Sequence, residues 1–169
     1  DPDVATVEQD YYLQVANTPP VNDPRLGEQW GLSSVRAPIA WEDPTPLNTI
    51  TVAVIDSGIC QNHPDLVGSQ ISDHRYDFID GDTIPQDELG HGCAVTGVIA
   101  ANTDNGIGIA GVAPNVEIMP LRVIDQTGSG TYSDVSAAIV FATDHGADII
   151  NLSLGGELPL QILEDAVNY

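Results

Sequence analysis

Two residues stand out for the chemistry they could do together. Asp56 ends a short apolar, β-branched run, Thr51-Val52-Ala53-Val54-Ile55, and is followed by Ser57-Gly58. Such a run suits a strand buried on both faces of a parallel sheet. In open α/β sheets, ligands collect beyond the carboxyl ends of the strands. His91 lies between Gly90 and Gly92, at the start of a segment over 91–101 that reads as a tightly packed helix with small residues on one side. Flanking glycines let a backbone approach its neighbours closely. Taken singly, an aspartate at a strand end more often caps a turn, and a histidine is more often structural. As a pair they suggest acyl transfer: a carboxylate fixes the tautomer of an imidazole, which deprotonates a serine and returns the proton to the leaving amine.

Elements able to position this pair alternate along the chain. Residues 117–123 and 148–153 read as further strands. Between them Val135, Ala138, Ile139 and Ala142 recur at helical spacing. Ser133 is placed to cap that helix and Gly146 to close it. Another helix begins near Pro159 and carries Leu160, Leu163, Ala166 and Val167. Strands alternating with helices predict an α/β fold with a parallel sheet flanked by helices. Upstream, Val4 to Leu13 is rich in valine, threonine and tyrosine and reads as a strand. Asn17 to Asp23-Pro24 holds three prolines without periodicity and reads as a linker.

Composition narrows the partners. The chain has 25 acidic residues, four arginines and no lysine, a net charge of -21. That charge argues against nucleic acid and against anionic membrane surfaces. It fits solubility, high salt or cation binding alike. No apolar run approaches the ~20 residues needed to span a bilayer. Two cysteines, Cys60 and Cys93, either pair or leave a free thiol two residues from His91.

At this point a family resemblance emerges. Val54-Ile55-Asp56-Ser57-Gly58-Ile59 with His63-Pro64-Asp65-Leu66 resembles the aspartate box of subtilisin-like serine proteases. The stretch Gly90-His91-Gly92-Cys93-Ala94-Val95-Thr96-Gly97 resembles their histidine box, and Gly111-Val112-Ala113-Pro114 and Asn151-Leu152-Ser153-Leu154-Gly155-Gly156 resemble two more of their segments. The order Asp56 then His91 is the subtilisin order of the triad. Cys93 stands where the family usually has threonine, and Cys60 where it often has an acidic or amide residue.

The resemblance implies a serine endopeptidase with a subtilisin-like, three-layer fold, incomplete in this chain. Its oxyanion asparagine and nucleophilic serine are expected after Tyr169, in a C-terminal part of the same protease. The 169 residues alone are then inactive. Substrate is expected to lie as an added strand between Gly128-Ser129-Gly130 and Ser153-Leu154-Gly155, with Tyr132 on the rim of an outer pocket. Calcium is implied on Asp23, Asp65, Asn105 and the carbonyls of Asn102, Ile107 and Ile109, in an Asn/Gly-rich loop expected to interrupt the histidine helix. Residues 1–18 resemble the last strand of an inhibitory pro-domain plus linker, and 19–169 the N-terminal part of the catalytic domain. Self-cleavage is expected between Gln14 and Pro20, and the whole is expected to be a secreted zymogen. A non-catalytic scaffold that binds peptides or a partner protein is the competing reading.

Overall fold

The computed structural model describes residues 21–42, 50–66, 70–156 and 160–169. The strand expected over Val4 to Leu13 lies outside them.

The apolar run does form a buried central strand, β1 (Thr51–Asp56), with Ala53 and Ile55 wholly inaccessible. On one side it pairs with β4 (Glu117–Arg122), and on the other with β5 (Ile149–Asn151). Two short strands, β2 (Gln70–Ile71) and β3 (Tyr76–Asp77), pair successively along the far edge of β4. All these pairings are parallel, in the order β2–β4–β1–β5 with β3 also on β4.

Side chains alternate across a strand, so β1 feeds two cores. Val52 and Val54 join Ile59, Ile118 and Ala100 beneath α3 (His91–Ala100). Ala53 and Ile55 join Met119, Leu121 and the apolar face of α4 (Tyr132–Asp144), with Ala166 from α5 (Gln161–Val167). The result is three layers: α3, the sheet, then α4 and α5. Two short helices, α1 (Trp30–Ser34) and α2 (Ala37–Ala40), pack Leu32 and Ala37 on Ala110 in the loop after α3. The Gln29 side chain clips that loop by donating to the Ala110 carbonyl and accepting from its N–H, both at 2.8 Å.

The cap of α4 differs from expectation. Thr131, in extended conformation, accepts from the Asp134 N–H, and the helix already starts at Tyr132. Ser133 therefore sits inside the first turn. Gly146, at φ 79°, closes the helix as expected. Among the described residues no helix is long and apolar enough to cross a membrane.

Candidate active site

Asp56 is the last residue of β1 and is almost completely buried. Its Oδ1 accepts the Ser57 N–H at 2.7 Å and lies 2.8 Å from His91 Nδ1. Its Oδ2 is buried and has no hydrogen-bond partner among the described residues. The carboxylate is thus not saturated by other donors, and its charge acts on the imidazole. His91 is the first residue of α3, entered through Gly90 at φ 93°. Its side chain stays about half exposed (53%), so the ring is oriented by protein on its Nδ1 side while part of it remains open to solvent. The His91 pKa is raised above the ordinary histidine value. The hydrogen bond to Asp56 is the main cause and the Asp56 charge the next; burial opposes weakly, and Asp87 adds a smaller push. A neutral imidazole whose Nδ1–H is held by a buried carboxylate is a general base aimed outward from its Nε2.

The close approach of β1 and α3 demands glycine. A Cβ on Gly92 would collide with the Gly58 carbonyl, and one on Gly58 (φ 115°) would strike the backbone of Pro85 to Asp87. A disulfide, Cys60–Cys93, joins the same two segments. This resolves the two alternatives the sequence left open.

Asp87 went unnoticed in the sequence. It lies four residues before His91, and an acidic residue just ahead of a helix is a capping signal. Its carboxylate is buried and accepts from Ser57 Oγ and from the N–H groups of Leu89, Gly90 and Cys93.

Six of the seven residues expected to grip substrate converge. Gly128, Ser129, Gly130, Tyr132, Leu154 and Gly155 line one cleft of about 450 Å³, together with apolar side chains that include Ile124, Leu152 and Val135. Ser153 does not line it; its hydroxyl accepts from the Asn151 amide at 2.9 Å. Neither 128–130 nor 153–155 belongs to a strand. The 125–129 turn is held by Asp125, whose Oδ1 takes the Thr127 hydroxyl and the Thr127 and Ser129 N–H groups. Gly156 lies so close under the Tyr132 ring that any side chain there would clash with it. The rim reaches the histidine turn, because a Cβ on Gly128 would touch Leu89, two residues before His91.

The residues expected to hold calcium surround the loop after α3. Asp23 and Asp65 are buried (4% and 3% exposed). Asp23 accepts the Asp104 and Asn105 N–H groups at 2.8 and 3.3 Å. Asp65 accepts the Asn105 amide and the Ile109 N–H, both at 2.9 Å, while its own carbonyl takes the Asn102 N–H. The Asn105 Oδ1 takes the Ile107 N–H at 2.8 Å. Any side chain on Gly108 would fall on the Asp65 carboxylate. Among the described residues no arginine or histidine forms an ion pair with Asp23 or Asp65; Arg25 pairs with Glu28, and Arg122 with Asp77, Asp80 and Glu88. Two buried carboxylates without a cation are costly. A hard divalent ion with oxygen ligands fits this donor set.

Comparison with known proteins decides the family. The model for the subtilase family matches residues 48–169. This chain belongs to the subtilase family. A thermophilic serine proteinase of Bacillus sp. (strain AK1) is 44% identical over 100% of this subtilase chain and 41% of its own length. Thermitase of Thermoactinomyces vulgaris is 43% identical over 88% of this chain and 52% of its own. A solved protease of Pseudoalteromonas arctica PAMC 21717 superposes with a TM-score of 0.77 at 30% identity, over 88% of this chain and 55% of that one. The subtilase chain described here therefore spans about half the length of the relatives it matches, or less.

Proposed function

We propose that this chain supplies the aspartate and histidine of a serine endopeptidase, with the nucleophilic serine outside these 169 residues. The observation that carries the reading is the 2.8 Å contact between Asp56 Oδ1 and His91 Nδ1, on the strand end and helix start where a subtilase places them. Asp56 holds the Nδ1–H tautomer. His91 takes the serine proton at Nε2 as the hydroxyl attacks the scissile carbonyl, then delivers it to the leaving amine. Substrate enters as an extended strand between 128–130 and 153–155. Tyr132 stands on the rim of an outer pocket in a cleft also lined by Ile124, Val135 and Leu152.

Asp23, Asp65, Asn105 and the carbonyls of Asn102, Ile107 and Ile109 would hold calcium. When bound, the ion neutralises two buried carboxylates and links the segment before α1 to the loop after α3. Residues 1–18 act as the end of an inhibitory pro-domain, cut between Gln14 and Pro20. The product is a secreted enzyme. Support for that location comes from the Cys60–Cys93 disulfide, since disulfides persist in oxidising compartments. With a net charge of -21, protein or peptide substrates are favoured over nucleic acid or anionic membranes.

The test is to label the full-length protein with a fluorophosphonate and locate the modified residue. One serine beyond Tyr169 should be modified, and His91→Ala should abolish labelling. The 169 residues alone should neither be labelled nor cleave casein. Equal labelling of the His91→Ala protein would overturn the proposal.

A further inference from the structure

The region around His91 holds a buried carboxylate that the triad chemistry does not use. Asp87 precedes α3, yet its bonds reach both catalytic elements. Its Oδ1 accepts the Ser57 hydroxyl at 2.9 Å and the Leu89 and Gly90 N–H groups at 2.9 and 2.8 Å. Its Oδ2 accepts the Cys93 N–H at 2.8 Å. Ser57 Oγ in turn accepts the Gly92 N–H at 2.9 Å. Asp87 thus caps the first turn of the histidine helix from outside. Through Ser57, the neighbour of Asp56, it also ties that turn to the end of β1. The backbone repeats the link: the Asp87 N–H donates to Ile59, and the Ile59 N–H to Pro85. On the other side of Asp87, Glu88 binds Arg122, the β4 residue in register with Asp56.

Resting on the protease reading above, we infer that Asp87 is a positioning residue, which through Ser57 and the first turn of α3 holds His91 at the distance from Asp56 that general-base catalysis requires. Four donors converge on one carboxylate, and this fixes more than a helix end needs. Only the Cys93 N–H belongs to α3, as capping would require; Asp87 also takes the Leu89 and Gly90 N–H groups of the preceding turn and a hydroxyl from the opposite element. The surrounding charges leave Asp87 free to act on His91. Asp56 from β1 and Asp87 from the preceding loop are the carboxylates that act on the ring. α3 itself carries no other charged residue. Glu88 and Arg122 are engaged with each other.

Asparagine at position 87 keeps the size but presents an N–H to a cluster of donors, so the first turn must shift. A misplacement of about 1 Å at a catalytic group can cost on the order of 10²-fold in rate. For Asp87→Asn in the full-length protein, kcat per active site, counted by fluorophosphonate titration, should fall about 10- to 100-fold. KM should change little. The acid limb of the pH profile should move to lower pH, because a negative neighbour of His91 has gone. Ser57→Ala keeps the charge and removes the link, so kcat should drop several-fold with the acid limb unmoved. An unchanged kcat per titrated site in Asp87→Asn would overturn the inference, since a purely structural role lowers only the number of sites. If Asp87→Asn does not fold, Ser57→Ala decides: wild-type kcat would overturn the inference, and a several-fold loss would sustain it. If the wild-type protein has no protease activity, the protease reading fails on its own account. The low-field NMR resonance of the His91 Nδ1–H, which reports its bond to Asp56, then tests the placement: a shifted or broadened resonance in Ser57→Ala supports it, and an unchanged one overturns it.

Discussion

Among the described residues, buried aspartates occur in two places, and they are answered differently. Around the catalytic seam, Asp77 is paired with Arg122 at 2.9 Å, Asp56 with His91, and Asp87 with four donors. The Cys60–Cys93 disulfide crosslinks the same region. Around the loop after α3, Asp23 and Asp65 are equally buried, but each is shown with two amide donors, half the number that converge on Asp87, and neither has a cationic partner among the described residues. A chain with only four cationic side chains and 25 acidic ones cannot answer every buried carboxylate from within. It commits a buried arginine to Asp77, in register beside Asp56; on the function proposed above, the second cluster would take an ion from solution. The first region should therefore resist chelation, and the second should be sensitive to it.

The sharpest way to break that contrast is Arg122→Met. The Asp77 side chain is fully buried, and removing its partner strands a charge, which costs about 3–5 kcal/mol of stability. Asp80 and Glu88 are largely exposed and add little to this. Denaturant melts of the full-length protein should show the loss with calcium present or absent. A change under about 1 kcal/mol would mean that Asp77 finds another partner.

Reduction of Cys60–Cys93 comes next. The bridge spans 33 residues, for which the chain-entropy model gives about 3–4 kcal/mol. Cys60→Ser with Cys93→Thr should lower the melting temperature, and adding reductant to the double variant should have no further effect. Reductant that leaves the wild-type melt unmoved would show that the crosslink contributes little.

Chelation should act only on the other region. An ion present at about 100 times its Kd stabilises by roughly 2.7 kcal/mol. A chelator should lower the melting temperature by a matching amount and expose the segment around Asp23 to cleavage. Asp65→Ala should remove the chelator response. A melt indifferent to both would return the loop to an ordinary turn whose carboxylates are satisfied by amides alone.

The smallest effect concerns pH. His91 is held above its ordinary pKa, first by its bond to Asp56. The imidazole must be neutral to act, so kcat/KM should fall as pH drops through the raised value, at a higher pH than for a free histidine. Asp56→Asn should move that limb down. Stability runs the opposite way. The charged His91–Asp56 pair is fully present below the ordinary histidine pKa and is lost as pH rises through the raised one. With the ring half exposed, solvent screening leaves that contribution small, and stability should vary little between pH 6 and 8 on this account.

Much of this organisation was legible in residue order. The β-branched run ending at Asp56 and the small-residue helix opening at His91 state their elements openly, because burial on both faces of a sheet and close helix packing each restrict residue type. What stayed hidden depends on three-dimensional pairing. The strands Gln70–Ile71 and Tyr76–Asp77 are too short to carry any periodicity. Ser133 and Thr131 are chemically equivalent caps, and only the extended backbone at Thr131 selects between them. Asp87 reads as one acid among 25 until Ser57, 30 positions earlier, is seen to donate to it. The pairing of Cys60 with Cys93 follows from Gly58 and Gly92 letting the two segments meet, which no spacing rule reveals.

The central claim is that Asp56 and His91 act as one unit, and a double-mutant cycle on the full-length protein tests it most directly. Loss of the base in such a triad costs on the order of 10⁶ in kcat, and loss of the carboxylate about 10⁴. Groups that work as a unit are strongly non-additive. His91→Ala and the Asp56→Ala/His91→Ala double variant should therefore show the same residual kcat to within a few-fold. A double variant slower than His91→Ala by the full factor lost in Asp56→Ala would show two independent contributions, and would contradict the assignment of Asp56 as the residue that orients His91.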